Sequence, residues 1–262
     1  MSTQLTAVRP MGLRSIAGPV HRSIVAVDVE GSTRRTNPER GELRRILYAL
    51  LDQALAETGI NASHLEPLID RGDGVLVLIR PHDDVPKTAL IGVLVPELAA
   101  LLDEHNAAIA DLALRMRLRA VIHAGEIHDD GRGFYGEDLD LAFRLLDAPK
   151  VKRALRDTPE APMVLVVSEE IFGGIVRHYY VDGGTYEPLI RVRMAGRHHR
   201  GWVNFPRLAG PDRPAAARRA RDQPLVPSLE VVSTSVPRQS QWDGGVPAAT
   251  VSGREARRSG RG

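Results

Sequence analysis

The chain has 262 residues, 43% of them hydrophobic but only 4% aromatic, with a formal net charge of +2. This allows one large domain or two small ones, with a core built from Leu, Val, Ile and Ala. The absence of Cys excludes disulfides, thiolate metal sites and Cys nucleophiles and fits a reducing cytoplasm. No apolar run reaches the roughly 18–20 residues that cross a bilayer, and no signal-peptide core is visible near the N-terminus.

The charge is uneven. Residues 207–262 hold ten Arg and five acids, which leaves the preceding part at −3. Residues 1–20 read as a flexible leader, 21–206 as the globular domain and 207–262 as a disordered Arg/Pro-rich tail. Apart from Trp242 the tail has no interleaved aromatics. It therefore reads as a solvated segment rather than a nucleic-acid-binding arm.

In chain order, Ser23–Val29 reads as a buried strand. A helix follows, with Asn37 as N-cap, Pro38 at its first position and Gly59 after its end. Leu43, Ile46, Leu47, Leu50, Leu51, Ala54 and Leu55 form its apolar stripe. Leu65–Ile69 and Val75–Ile79 read as a hairpin closed by Asp70-Arg71-Gly72-Asp73-Gly74, with Pro67 holding the first strand to an edge. A second helix covers Leu90–Leu102, kinked or split by Pro96.

Leu114–Ile122 alternates. Leu114, Met116, Leu118, Ala120 and Ile122 face one way; Arg115, Arg117 and Arg119 face solvent or an acidic partner. Asp129-Asp130-Gly131 reads as a turn. A helix starts near Leu139 and breaks before Pro149, with a short helical piece to about Leu155. Met163–Val167 is a buried strand, and Ser168 caps a short helix. Tyr179–Val181 and Tyr186–Met194 read as two weaker strands, and His198-His199 as part of a solvated basic turn. The order β-α-β-β-α-β with a C-terminal α/β extension is an α/β (α+β), ferredoxin-like split βαβ arrangement.

In that topology the first strand and the hairpin are neighbours, so Asp28 and Asp73 can point at one ion. Paired hard oxygen ligands suit Mg²⁺ or Mn²⁺, with phosphates and water completing the shell. The Gly31-Ser32-Thr33 turn lets backbone amides approach phosphate oxygens. Taken singly, Asp28 also reads as a turn cap and Gly72-Asp73-Gly74 as a simple hairpin turn.

These residues resemble the class III nucleotidyl cyclase homology domain, the adenylyl and guanylyl cyclase type. The resemblance runs over about residues 22–205. Asp28-Val29-Glu30-Gly31-Ser32-Thr33 is similar to the family's first motif and Gly72-Asp73 to its hairpin motif. Arg119-Ala120-Val121-Ile122-His123-Ala124-Gly125 matches its next strand end, and Gly136 to Leu145 its helix motif. The resemblance implies a two-metal enzyme using two Mg²⁺ or Mn²⁺ ions. The ribose 3′-oxygen of a nucleoside triphosphate attacks the α-phosphate and pyrophosphate leaves. Asp28, the Val29 carbonyl and Asp73 would hold the metals. Asp140 and Arg144, one helical turn apart, would act catalytically from the second subunit of a homodimer; a guanidinium suits phosphate.

Three departures qualify that expectation. Asp140 stands where the family has Asn, and an ionised carboxylate only accepts hydrogen bonds. The base-selecting positions fall on Ile69 and Gly133, which specify neither adenine nor guanine. No Lys follows Lys152, so the family's late triphosphate Lys is missing, leaving Arg193, Arg197 or Arg200 as substitutes. The alternative expectation is therefore an inactive cyclase-like module that binds a nucleotide or a protein. His123 is expected to be structural.

Overall fold

A computed structural model of the chain describes residues 18–181 and 184–207. Most of the expected leader and tail thus lie outside the described residues. The first strand, β1 (Val20–Val29), is buried on both faces from Ile24 to Val27. α1 (Asn37–Glu57) begins one residue earlier than expected, because Thr36 rather than Asn37 is the N-cap. The Thr36 amide donates to the Glu39 carboxylate at 2.7 Å, one half of a capping box. Gly59, at φ +77°, ends the helix in the left-handed conformation.

The hairpin forms, but β2 is only Ile69–Asp70, against β3 (Gly74–Ile79). The expected strand from Leu65 is reduced to one bridge between Leu65 and Ile79. Pro67 lacks the N–H a longer ladder needs. After α2 (Lys87–Ala89), the chain widens into a π-turn over Leu90–Leu94 and then enters α3 (Val95–Ala108). Pro96 follows directly on this π-turn with helical backbone on both sides, and the widening, seen in the Val95 amide donating to the Leu90 carbonyl, makes room for its ring and missing N–H. This is how the expected break is accommodated.

β4 spans Leu118–Asp129, later and longer than the expected Leu114–Ile122, because Leu112–Leu114 close a 3₁₀ turn. β5 (Phe134–Tyr135) pairs back onto β4. α4 (Glu137–Leu146) and α5 (Pro149–Asp157) follow as separate helices divided at Pro149, as expected. β6 (Met163–Ser168) leads into α6 (Glu169–Gly174), and the Ser168 hydroxyl accepts from the Ile171 amide. Tyr179–Val181 is not a strand: it follows a 3₁₀ turn, and Val181 packs on the core. β7 (Glu187–Met194) pairs with β8 (Arg197–Asn204). The expected basic turn around His198-His199 is thus the start of a strand whose far end, Gly201–Asn204, is buried.

The sheet order is β2-β3-β1-β4-β6-β8-β7. Its first four strands have the ferredoxin-like order, and their neighbours are antiparallel. β6 joins β4 in parallel. One face packs against α1 and α3 through Val25, Val27, Val75 and Val77. The other packs against α4 and α5 through Ile24, Ala26, Leu76 and Leu78. Among the described residues no helix is long and apolar enough to cross a membrane.

Candidate active site

Strand alternation decides where Asp28 points. Ile24 and Ala26 face α4 and α5, and Asp28 lies two residues further along the same face. Its Cα partners are Gly74 on β3 and Arg119 on β4. Gly74 is glycine for a reason: a Cβ there would lie 2.2 Å from the Val27 carbonyl oxygen. The close approach brings the hairpin tip to the end of β1. There the Val29 amide donates to the Asp73 carbonyl at 3.0 Å, and the Ser32 hydroxyl donates to the Asp73 carboxylate. Gly31, at φ +65°, opens a 3₁₀ turn over Ser32–Arg34, whose leading amides have no partner within the turn.

Asp28, Val29, Gly31, Ser32, Thr33 and Asp73 all line one cavity of about 330 Å³. The metal-ligating and phosphate-binding residues expected from the sequence are thus brought together. The same cavity adds Arg71, Arg119, Phe143, Asp147 and Lys152, none of which sequence reasoning placed there. Arg119 had the clearest signal. Its face was expected to meet solvent or an acidic partner, and the partner is internal: Arg119 pairs with Asp28 at 2.6 Å and Arg117 with Glu30 at 2.7 Å.

The Asp28–Arg119 pair is incomplete. The side chains are only 14% and 10% exposed, yet Asp28 Oδ1 and Arg119 Nε are buried without a partner. Burial pushes the Asp28 carboxyl up to about 6; Arg119 pulls against this, and Asp147 and Asp73 add to it. A buried polar atom left unpaired costs about 1–3 kcal/mol. A divalent cation taking Oδ1 would relieve that cost and favour the ionised form. The donor set of Asp28, Asp73 and the adjacent backbone is all hard oxygen, which fits Mg²⁺ or Mn²⁺.

The other expected residues sit next door. Ile69, Gly133, Asp140 and Arg144 line a neighbouring cavity of about 880 Å³, and Arg71, Phe143 and Asp147 line both cavities. Asp140 and Arg144 lie one turn apart on the exposed side of α4. Among the described residues neither side chain has a hydrogen-bond or ion-pair partner. Neither Ile69 nor Gly133 offers a side-chain hydrogen bond. Asp70, beside Ile69, is held by both Arg44 guanidinium nitrogens at 2.7 Å, which brings its carboxyl down to about 2. Arg193, Arg197 and Arg200 lie on the β7–β8 hairpin and line neither cavity.

The start of α4 is set by a buried joint. His123 is fully buried, with Nε2 3.1 Å from Asp138 Oδ1 and Nδ1 2.8 Å from Ser168 Oγ. The Glu126 amide donates to Asp138 Oδ2 at 2.6 Å. A Cβ on Gly125 would fall 2.0 Å from that oxygen. The His-x-Gly of β4 and the Gly-x-Asp that opens α4 are thus two halves of one contact.

No protein-family model and no curated protein matches the chain by sequence. Solved structures do match. A guanylyl cyclase, Cya2, is 17% identical with a TM-score of 0.51, over 71% of this chain and 93% of that one. An adenylate/guanylate cyclase/hydrolase from Silicibacter pomeroyi is 18% identical with a TM-score of 0.51, over 73% and 99%. The described domain therefore has the fold of adenylyl and guanylyl cyclase domains.

Proposed function

We propose that this chain, with its cyclase fold, is a nucleotidyl cyclase that converts a nucleoside triphosphate to a 3′,5′-cyclic nucleotide and pyrophosphate. The carrying observation is the cavity floor. Two acids converge there, and the most buried one keeps an oxygen with no protein partner. Bound at Asp28, Asp73 and the Val29 carbonyl, two Mg²⁺ or Mn²⁺ ions would activate the ribose hydroxyl and neutralise the triphosphate.

The chain's own residues do the rest. Gly31, Ser32 and Thr33 present amides to the phosphates. Ser32 holds Asp73 in place through its hydroxyl. Asp140 accepts a hydrogen bond from a ribose hydroxyl, and Arg144 stabilises charge on the phosphate under attack. In the ring closure the 3′-oxygen–phosphorus bond forms as the bond from the α-phosphorus to the pyrophosphate oxygen breaks. Asp140 and Arg144 are free, exposed and in the neighbouring cavity, which supports a homodimer in which each metal cavity faces the partner's α4.

Asp28→Ala and Asp73→Ala test this reading. Each should abolish turnover with the circular dichroism spectrum unchanged; retained turnover in either contradicts it. Asp140 favours a second reading, a module that binds nucleotide without turning it over, because it adds negative charge beside a triphosphate. Calorimetric binding of a nucleoside triphosphate with no product from any of the four would select it.

A further inference from the structure

Three cations line the 330 Å³ cavity: Arg71, Arg119 and Lys152. Two are committed to carboxylates of the same chain. Arg119 pairs with Asp28 at 2.6 Å and Lys152 with Asp147 at 3.0 Å. Arg71 has no carboxylate. Its guanidinium carbon sits 3.8 Å from the centre of the Phe143 ring, an arrangement that fixes the planar group while leaving its N–H edge unused. Its backbone is anchored as well, since the Arg71 amide donates to the Gly74 carbonyl at 2.9 Å. Arg71 stands two residues before Asp73 and lines both cavities.

We propose that Arg71 grips the polyphosphate chain of the substrate, as the side-chain cation of the cavity that is not already paired with a carboxylate. The inference rests on the cyclase reading of this cavity. A triphosphate beside Asp28, Asp73 and Asp147 meets three acids and needs a counter-charge that is not already neutralised. A guanidinium held flat on an aromatic ring can present two parallel N–H groups to phosphate oxygens. The position needs no charge for folding: Arg71 is exposed in the hairpin turn and makes no ion pair among the described residues. With Arg71 in this role no late Lys is needed, which agrees with the arginines of the β7–β8 hairpin lining neither cavity.

The test uses magnesium tripolyphosphate, which has no base or ribose and cannot be cyclised. Calorimetry on the full chain should show binding to the wild type that Arg71→Gln weakens about tenfold or more. Arg71→Lys should recover part of that loss, since it restores charge but not the fork. Equal affinity in wild type and Arg71→Gln, or no binding to the wild type, overturns the proposal. Failure of the cyclase reading looks different: tripolyphosphate binding that depends on Arg71, with no cyclic product from any nucleotide.

Discussion

Asp28 and Arg119 stand directly opposite each other on β1 and β4, 2.6 Å apart, and each keeps one buried polar atom unpaired. The pair neutralises charge without satisfying it. Buried polar groups left in this state concentrate at functional sites, where a ligand completes them.

The pH dependence follows from the Asp28 carboxyl. Burial raises it from 3.8 to about 6. For an acid raised on folding, the stabilising contribution is full below pH 3.8 and is lost as pH rises through about 6. Ionised Asp28 therefore costs about 3 kcal/mol at neutral pH. The difference in urea unfolding between the wild type and Asp28→Asn should change between pH 4 and pH 7 in this direction, with the wild type losing ground as pH rises. Mn²⁺ affinity should fall as pH drops below about 6, where a proton competes for the same oxygen.

Two glycines should rank differently. A Cβ at Gly74 would meet the Val27 carbonyl oxygen at 2.2 Å, which is backbone of a strand paired on both sides. A Cβ at Gly125 would meet the Asp138 carboxylate at 2.0 Å and the Asp138 Cβ at 2.7 Å, so the carboxylate must give up its hydrogen bonds and the first turn of α4 must shift slightly as well. Gly125→Ala should cost about 1–3 kcal/mol, and Gly74→Ala more. Equal losses on urea unfolding would contradict the stated contacts.

His123→Leu should loosen α4 at its start. It leaves Asp138 and Ser168 without their shared partner, at a cost of about 2–4 kcal/mol. Glu170 gives a second readout. The His123 hydrogen bond brings its carboxyl down to about 2. That contribution is present above pH 4.5 and lost as pH falls through about 2, and the variant should keep only the smaller part that the backbone and Ser168 hydrogen bonds supply. Hydrogen exchange at the Glu126 and Asp140 amides should quicken in the variant.

Mixing tests the composite site. Asp28→Ala and Arg144→Ala should each be inactive alone. Mixed, they should regain about a quarter of wild-type activity, because random pairing makes half the molecules mixed dimers, each with one intact site. No recovery would place Asp28 and Arg144 in the same subunit's site.

The convergence of Asp28 and Asp73 was legible because both are tied to backbone punctuation: a strand end before Gly31, and a turn between Gly72 and Gly74. Arg119 was legible as one of three arginines on a face and as the first residue of a strand-end motif, but not as a partner of Asp28. Its partner depended on the register of β1 against β4, a contact across 91 residues that no local pattern encodes. β8 was hidden for a similar reason. Its first half, Arg197–Arg200, is polar, and only Gly201–Asn204 are buried, so the strand lacks the alternation that reveals one. Pro67 and Pro96 are legible as disruptions, but that one shortens a strand and the other is absorbed by a π-turn is decided by packing.

The most direct measurement is phosphorus NMR of the full chain incubated in turn with ATP, GTP, CTP and UTP and with Mn²⁺ or Mg²⁺. At least one nucleotide should give 3′,5′-cyclic monophosphate and pyrophosphate in equal amounts, and the Asp28→Ala protein should give neither. Release of orthophosphate and nucleoside diphosphate instead, or no consumption of any nucleotide by the folded protein, would contradict the account.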